Sequence, residues 1–201
     1  MVDTIRDEAF IDADFSIELS REDPVLDFPW TDPKGKVAYV DLKRHPEQLA
    51  AIVEAQDFPD LRDFLQMVNS SRSLLETAKC DAWSTTELSA EEEIYDAAHK
   101  FAGYVDVLFA TRDARLALAR HEQFAKDLVA LLRRAPETPS SAEVCVRRCY
   151  FAEDAERPVQ QGFYFTLYVS GYGDDGDSAL LNWGVALKLV GNAMVQLSRT
   201  G

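Results

Sequence analysis

Residues 162–197 read GFYFTLYVSGYGDDGDSALLNWGVALKLVGNAMVQL, and their two periodicities decide the fold class. Phe163, Phe165, Leu167 and Val169 alternate with period two, which predicts a strand near 162–170. After the acidic glycine loop GYGDDGD (171–177), Leu180, Trp183, Leu187, Val190, Met194 and Leu197 recur at steps of three and four. That spacing places all six on one face of a long helix. Upstream, EVCVRRCYF (143–151) predicts the partner strand of a hairpin, after the linker APETPSS (135–141). A hairpin feeding one long apolar helix predicts an α+β domain.

Nearer the N-terminus, Val37–Lys43 reads as a strand. Pro46 and Pro59 suit the first turns of two short helices, because proline lacks the amide that a helix start leaves unpaired. Leu49, Ile52 and Val53 would face inward in one, and Leu61, Phe64, Leu65 and Val68 in the other. The threonine-rich stretch 73–87 alternates loosely and predicts a strand. Ser89 and Glu92 have capping-box spacing, and Ile94, Ala97, Ala98, Phe101, Val105 and Leu108 then form a helical stripe. A further helix is expected near 113–134, with Phe124, Leu128, Leu131 and Leu132 inward. The expected order is βααβααββα: a mainly antiparallel sheet of about four strands with helices packed on it.

Residues 1–35 differ from the rest. Ten acids stand there against three bases, and Pro24, Pro29 and Pro33 oppose regular structure. Val25, Leu26, Phe28 and Trp30 are nevertheless too apolar for a free tail. This segment reads as an acidic extended arm whose Phe28 and Trp30 dock on a single domain, residues 36–201.

The net charge of −14 repels phosphate backbones and anionic lipid, so neither nucleic acid nor membrane is an expected partner. The strand 161–168 resembles the aromatic ribonucleoprotein motif of RNA-recognition domains at Gly162, Phe163, Phe165 and Tyr168. Gln161 replaces the motif's basic residue, and the acidity opposes RNA. No apolar run approaches about 20 residues, the first residues lack a leader's pattern, and the cysteines are three. A cytoplasmic location is the expectation.

Catalytic patterns are missing. No G-x-S-x-G elbow, phosphate-binding glycine loop or zinc-protease histidine pair occurs in the sequence. Cys145 and Cys149 share a face of a strand but sit about 13 Å apart, too far for one metal. Asp174, Asp175 and Asp177 cluster beside glycine, where helix capping competes with cation binding and is the expected role. No metal and no cofactor is expected. Arg147 and Arg148 point to opposite faces of an apolar strand, so one of them needs either a carboxylate from the arm or an anionic ligand.

The first functional expectation is a non-enzymatic protein-interaction module (adaptor, small chaperone or assembly factor) that binds another polypeptide. Leu181, Val185 and Leu189, on the outer side of the final helix, would form an interface, with a second copy as one partner. The alternative is a small-molecule-binding protein or enzyme, with Arg147 or Arg148 and the Asp174, Asp175 and Asp177 loop at its site.

Overall fold

The computed structural model of the chain describes residues 11–135, 138–152 and 158–199. Its strands are β1 (Asp12–Glu18), β2 (Val25–Phe28), β3 (Leu75–Thr85), β4 (His99–Phe109), β5 (Ser140–Phe151) and β6 (Gln160–Gly173). The helices are α1 (Val53–Asp57), α2 (Pro59–Val68), α3 (Arg112–Leu116), α4 (Leu118–Leu132) and α5 (Gly176–Ser198). The strands form one sheet in the order β1-β5-β6-β4-β3, and β2 continues beyond β1 along β5. β3, β4, β5 and β6 pair antiparallel, whereas β1 and β2 run parallel to β5.

The fold is therefore α+β with a long C-terminal helix, but the sheet is mixed and has six strands. The correction comes from the acidic arm. It enters the sheet as β1 and β2, where Ala13 and Leu26 are buried and Phe28 is 3% exposed. Carboxylates at alternate positions kept the arm's strand character inconspicuous in the sequence.

Two further expectations fail. Residues 37–43 form no strand; a single bridge joins Thr31 to Ala38. The capping box at Ser89 and Glu92 is present, but it opens only a 3-10 turn, Ala90–Tyr95, ended by Asp96 in the left-handed region (φ 46°). Residues 99–109 are a strand because Phe101, Val105, Val107 and Phe109 also fit period two, and β-branched valines favour the extended chain. The long-range pairing with β3 and β6 decides between the two periods.

The final helix behaves as its stripe predicts. Trp183, Leu187, Val190 and Met194 are buried against the sheet and neighbouring helices, with Leu180 and Leu197 partly so. Its close seat depends on Gly171 and Gly173 of β6. A Cβ on Gly171 would collide with the backbone of Ala179 and Trp183, and one on Gly173 with Ala179 N at 2.6 Å. Gly184 and Gly191 make room for side chains of α2, namely Asp60, Phe64 and Met67. Helices α2, α4 and α5 thus cover one face of the sheet. The other face is covered by the 3-10 turn at one end. At the opposite end lie Leu26, Phe28, Trp30 and Tyr39.

Candidate functional site

Between those two covers, the strand registers line up side chains in rows on the second face. One row runs Asp14 (β1), Glu143 (β5), Tyr168 (β6), Tyr104 (β4) and Asp81 (β3). It spans about 19 Å at the usual strand spacing. The row on one side is Asp12, Ser141, Ser170, Ala102 and Trp83; the row on the other is Ser16, Cys145, Thr166 and Asp106. Asp12, Asp14, Glu143 and Asp81 are exposed, the two tyrosines are half-buried, and Trp83 is 42% exposed. The face is acidic with aromatic rings at its centre.

The floor is well ordered chemically. Tyr104 and Tyr168 lie with ring centroids 6.1 Å apart. Asp106 accepts a 2.8 Å hydrogen bond from Thr166 Oγ1, yet burial raises its carboxyl to about 6. Opposite Asp106, β3 bulges between Thr77 and Cys80 and carries Lys79, whose Nζ stands 4.7 Å from the Trp30 ring centroid. Burial likewise pushes Tyr104 up to about 12, so its hydroxyl stays a proton donor at neutral pH. At the edge, Asp14 lies 4.0 Å from Arg133; both side chains are exposed, so the pair adds little.

The expected ligand-binding residues are not brought together. Arg147 and Arg148 do leave β5 on opposite faces. Arg147 Nε and Nη2 each lie 2.7 Å from Glu18 Oε2, and Nη1 donates to the Tyr168 hydroxyl at 3.1 Å. Arg148 donates to the carbonyl of Ser20. Both arginines therefore engage the acidic arm. Asp174, Asp175 and Asp177 lie at the start of α5, ten residues along β6 from Tyr164, the partner of Arg147. That separation is about 30 Å. Asp175 caps α5 by accepting from Ser178 N at 2.8 Å, which also holds its carboxyl below the usual range. Of the expected interface, Leu181 is 67% and Val185 40% exposed, whereas Leu189 packs partly against the core.

Among the described residues, Glu18, Glu143 and Cys145 offer donor atoms within 4.8 Å of one another. A metal there would have to displace the Arg147 guanidinium from Glu18. It would also have to strip a proton from a thiol that burial raises to about 12. The three groups fit an ion poorly.

Tyr104, Glu143 and Asp106 carry no motif in the sequence, and Tyr168 stands out there only through the ribonucleoprotein-like strand, because the proximity of the four exists only through register. The one available signal was the alternation of Ala102, Tyr104 and Asp106 with Phe101, Val105 and Val107. Searches against protein-family models, curated proteins and solved structures find no match to this chain.

Proposed function

We propose that this protein is a non-enzymatic, cytoplasmic interaction module whose second sheet face receives a basic segment of another polypeptide. The observation that supports it best is the row Asp14–Glu143–Tyr168–Tyr104–Asp81, carboxylates at both ends and phenol rings between. Exposed carboxylates steer a cationic chain and set its orientation, while half-buried aromatic rings offer flat contact area and cation–π partners for lysine or arginine. Of the described helices, α3 reaches this face at the end away from the row, where Leu116 packs on the cluster of Leu108 and Tyr164. Residues 1–10 are a poor occupant on charge, since Asp3, Asp7 and Glu8 outnumber Arg6.

Calorimetric titration with a lysine- and arginine-rich peptide, followed in parallel by tryptophan fluorescence, tests this. Triple reversal of Asp14, Glu143 and Asp81 to lysine should weaken binding at least tenfold. Reversal of Asp174 and Asp177 should leave it within about twofold. Equal loss in both variants would mean that only net charge matters and that the face is not the site. A truncation lacking residues 1–10 that binds far more tightly would make the chain's own terminus the occupant.

A further inference from the structure

A second feature contradicts the overall charge of the molecule. A cavity of about 610 Å³ opens where β3 begins and β4 ends, between the segment that follows β2 and the start of α3. Its polar lining consists of Lys43, Arg44, Arg112 and Arg115 with Asp41 and Glu76. Four cations against two carboxylates leave it two charges positive, in a chain whose net charge is −14. Phe28, Pro29 and Tyr39 form an apolar wall, with the Phe28 and Tyr39 ring centroids 4.6 Å apart.

The four cations have different duties. Lys43 Nζ donates to the carbonyls of Ser70 (3.2 Å), Ser73 (2.7 Å) and Leu75 (2.7 Å), which commits its three protons to holding the turn before β3. Arg115 is buried, with Nη2 2.5 Å from Glu76 and Nε bonded to the carbonyl of Phe109. Its guanidinium carbon lies 5.2 Å and 5.1 Å from the Phe28 and Phe151 ring centroids. These two are structural, but their charge stays in a low-dielectric wall. Arg44 and Arg112 are different. Arg44 meets Asp41 only at 3.5 Å with its side chain 83% exposed, and Arg112 uses Nε toward Gln160 Oε1 at 2.7 Å. Both arginines are exposed beside the cavity, with guanidinium nitrogens left over for a visitor.

We propose that this cavity binds a small organic anion, its phosphate or carboxylate gripped by Arg44 and Arg112 and its uncharged part resting on the Phe28–Tyr39 wall. A guanidinium presents paired donors that match either anion bidentately. The volume lies within the range of small-molecule sites and far exceeds a bare phosphate. Concave, low-dielectric walls focus the positive field that the rest of the surface opposes.

The test uses the full chain and two probes, phenyl phosphate and inorganic phosphate, titrated by calorimetry at constant ionic strength. Saturable 1:1 binding of phenyl phosphate is expected, at least tenfold tighter than that of inorganic phosphate. The double variant Arg44→Gln/Arg112→Gln should weaken phenyl phosphate at least tenfold, while the distant control Arg199→Gln should not change it. Because both arginines are exposed, unchanged melting curves are expected. If a variant melts lower, the single substitutions Arg44→Lys and Arg112→Lys, which keep charge but lose the fork, must still weaken binding. No saturable binding of either probe, or binding indifferent to all these substitutions, overturns the proposal.

Discussion

Glu18 and Arg147 are register partners across the parallel β1–β5 pairing, and the guanidinium reaches the carboxylate through two nitrogens at 2.7 Å. The Arg147 side chain is 9% exposed, so its charge depends on this partner and on the Tyr168 hydroxyl. Burial alone would raise the Glu18 carboxyl. Hydrogen bonds from Arg147 and Ser16 outweigh it and hold the group below the usual carboxylate range. The pair fastens the acidic arm to the sheet beside the proposed docking row.

Glu18→Gln should therefore destabilise the protein by about 1–3 kcal/mol, because a nearly buried guanidinium loses its counter-charge. Arg147→Met alone should cost less. The double variant should be more stable than the sum of the two, which urea denaturation of all four proteins measures directly.

Removing residues 1–35 deletes β1 and β2 and leaves one edge of β5 unpaired. It also exposes the surface against Leu26 and Phe28. A fall in melting temperature of at least about 10 °C, with aggregation through the bare edge, is the expected result in a thermal scan. An unchanged scan would mean that the arm contributes nothing to the fold.

Two buried groups pull stability in opposite directions with pH. Burial lowers His121 from 6.5 to about 4, so between those values the unfolded chain binds the extra proton and acidification destabilises. Burial raises Asp106 from 3.8 to about 6, so between those values the folded chain binds the extra proton and acidification stabilises. Asp106→Asn should gain about 1–3 kcal/mol at pH 7.5 and nothing below about pH 4. His121→Phe should flatten the loss of stability between about pH 6.5 and 4. Denaturation curves across pH 4–8 check both signs.

A Cβ on Gly191 would stand 3.0 Å from Phe64 and 3.2 Å from Met67, so Gly191→Leu should cost about 1–3 kcal/mol by overpacking α5 against α2. Leu181→Lys, on the exposed side of the same helix, should stay within about 0.5 kcal/mol. Chemical denaturation separates them. If Leu181 and Val185 meet a second copy, light scattering of Leu181→Lys will show a monomer where the wild type shows a dimer.

Asp175→Ala removes the cap from α5 and should lower stability by about 1 kcal/mol, with Asp175→Asn close to neutral. The same melting curves run with and without Ca²⁺ report any cation role for the loop. A stabilisation by the ion that Asp175→Asn abolishes would replace the cap with a metal site.

The elements that could be read from sequence are those whose own pattern admits one answer. The stripe from Leu180 to Leu197, the Pro59 helix with Leu61, Phe64, Leu65 and Val68, and the strands around 75–85, 143–151 and 162–170 are all local signals. In each, the burial they need is supplied by whatever lies opposite. Residues 99–109 carried two compatible periods, and only pairing with β3 and β6 selected the strand.

By itself, the sequence determined the α+β class, the long terminal helix, the acidity and the lack of a recognisable catalytic motif, because composition and periodicity are properties of the chain alone. The tertiary structure decided that the arm enters the sheet in parallel to β5. It decided that Arg147 meets Glu18, 129 positions away, and that Asp14, Glu143, Tyr168, Tyr104 and Asp81 stand in one row. It also gathered Arg44 and Arg112 at one cavity. These are relationships between strands and loops remote in sequence. A one-residue change of register would turn each side chain of the row to the opposite face, so no local pattern could have specified them.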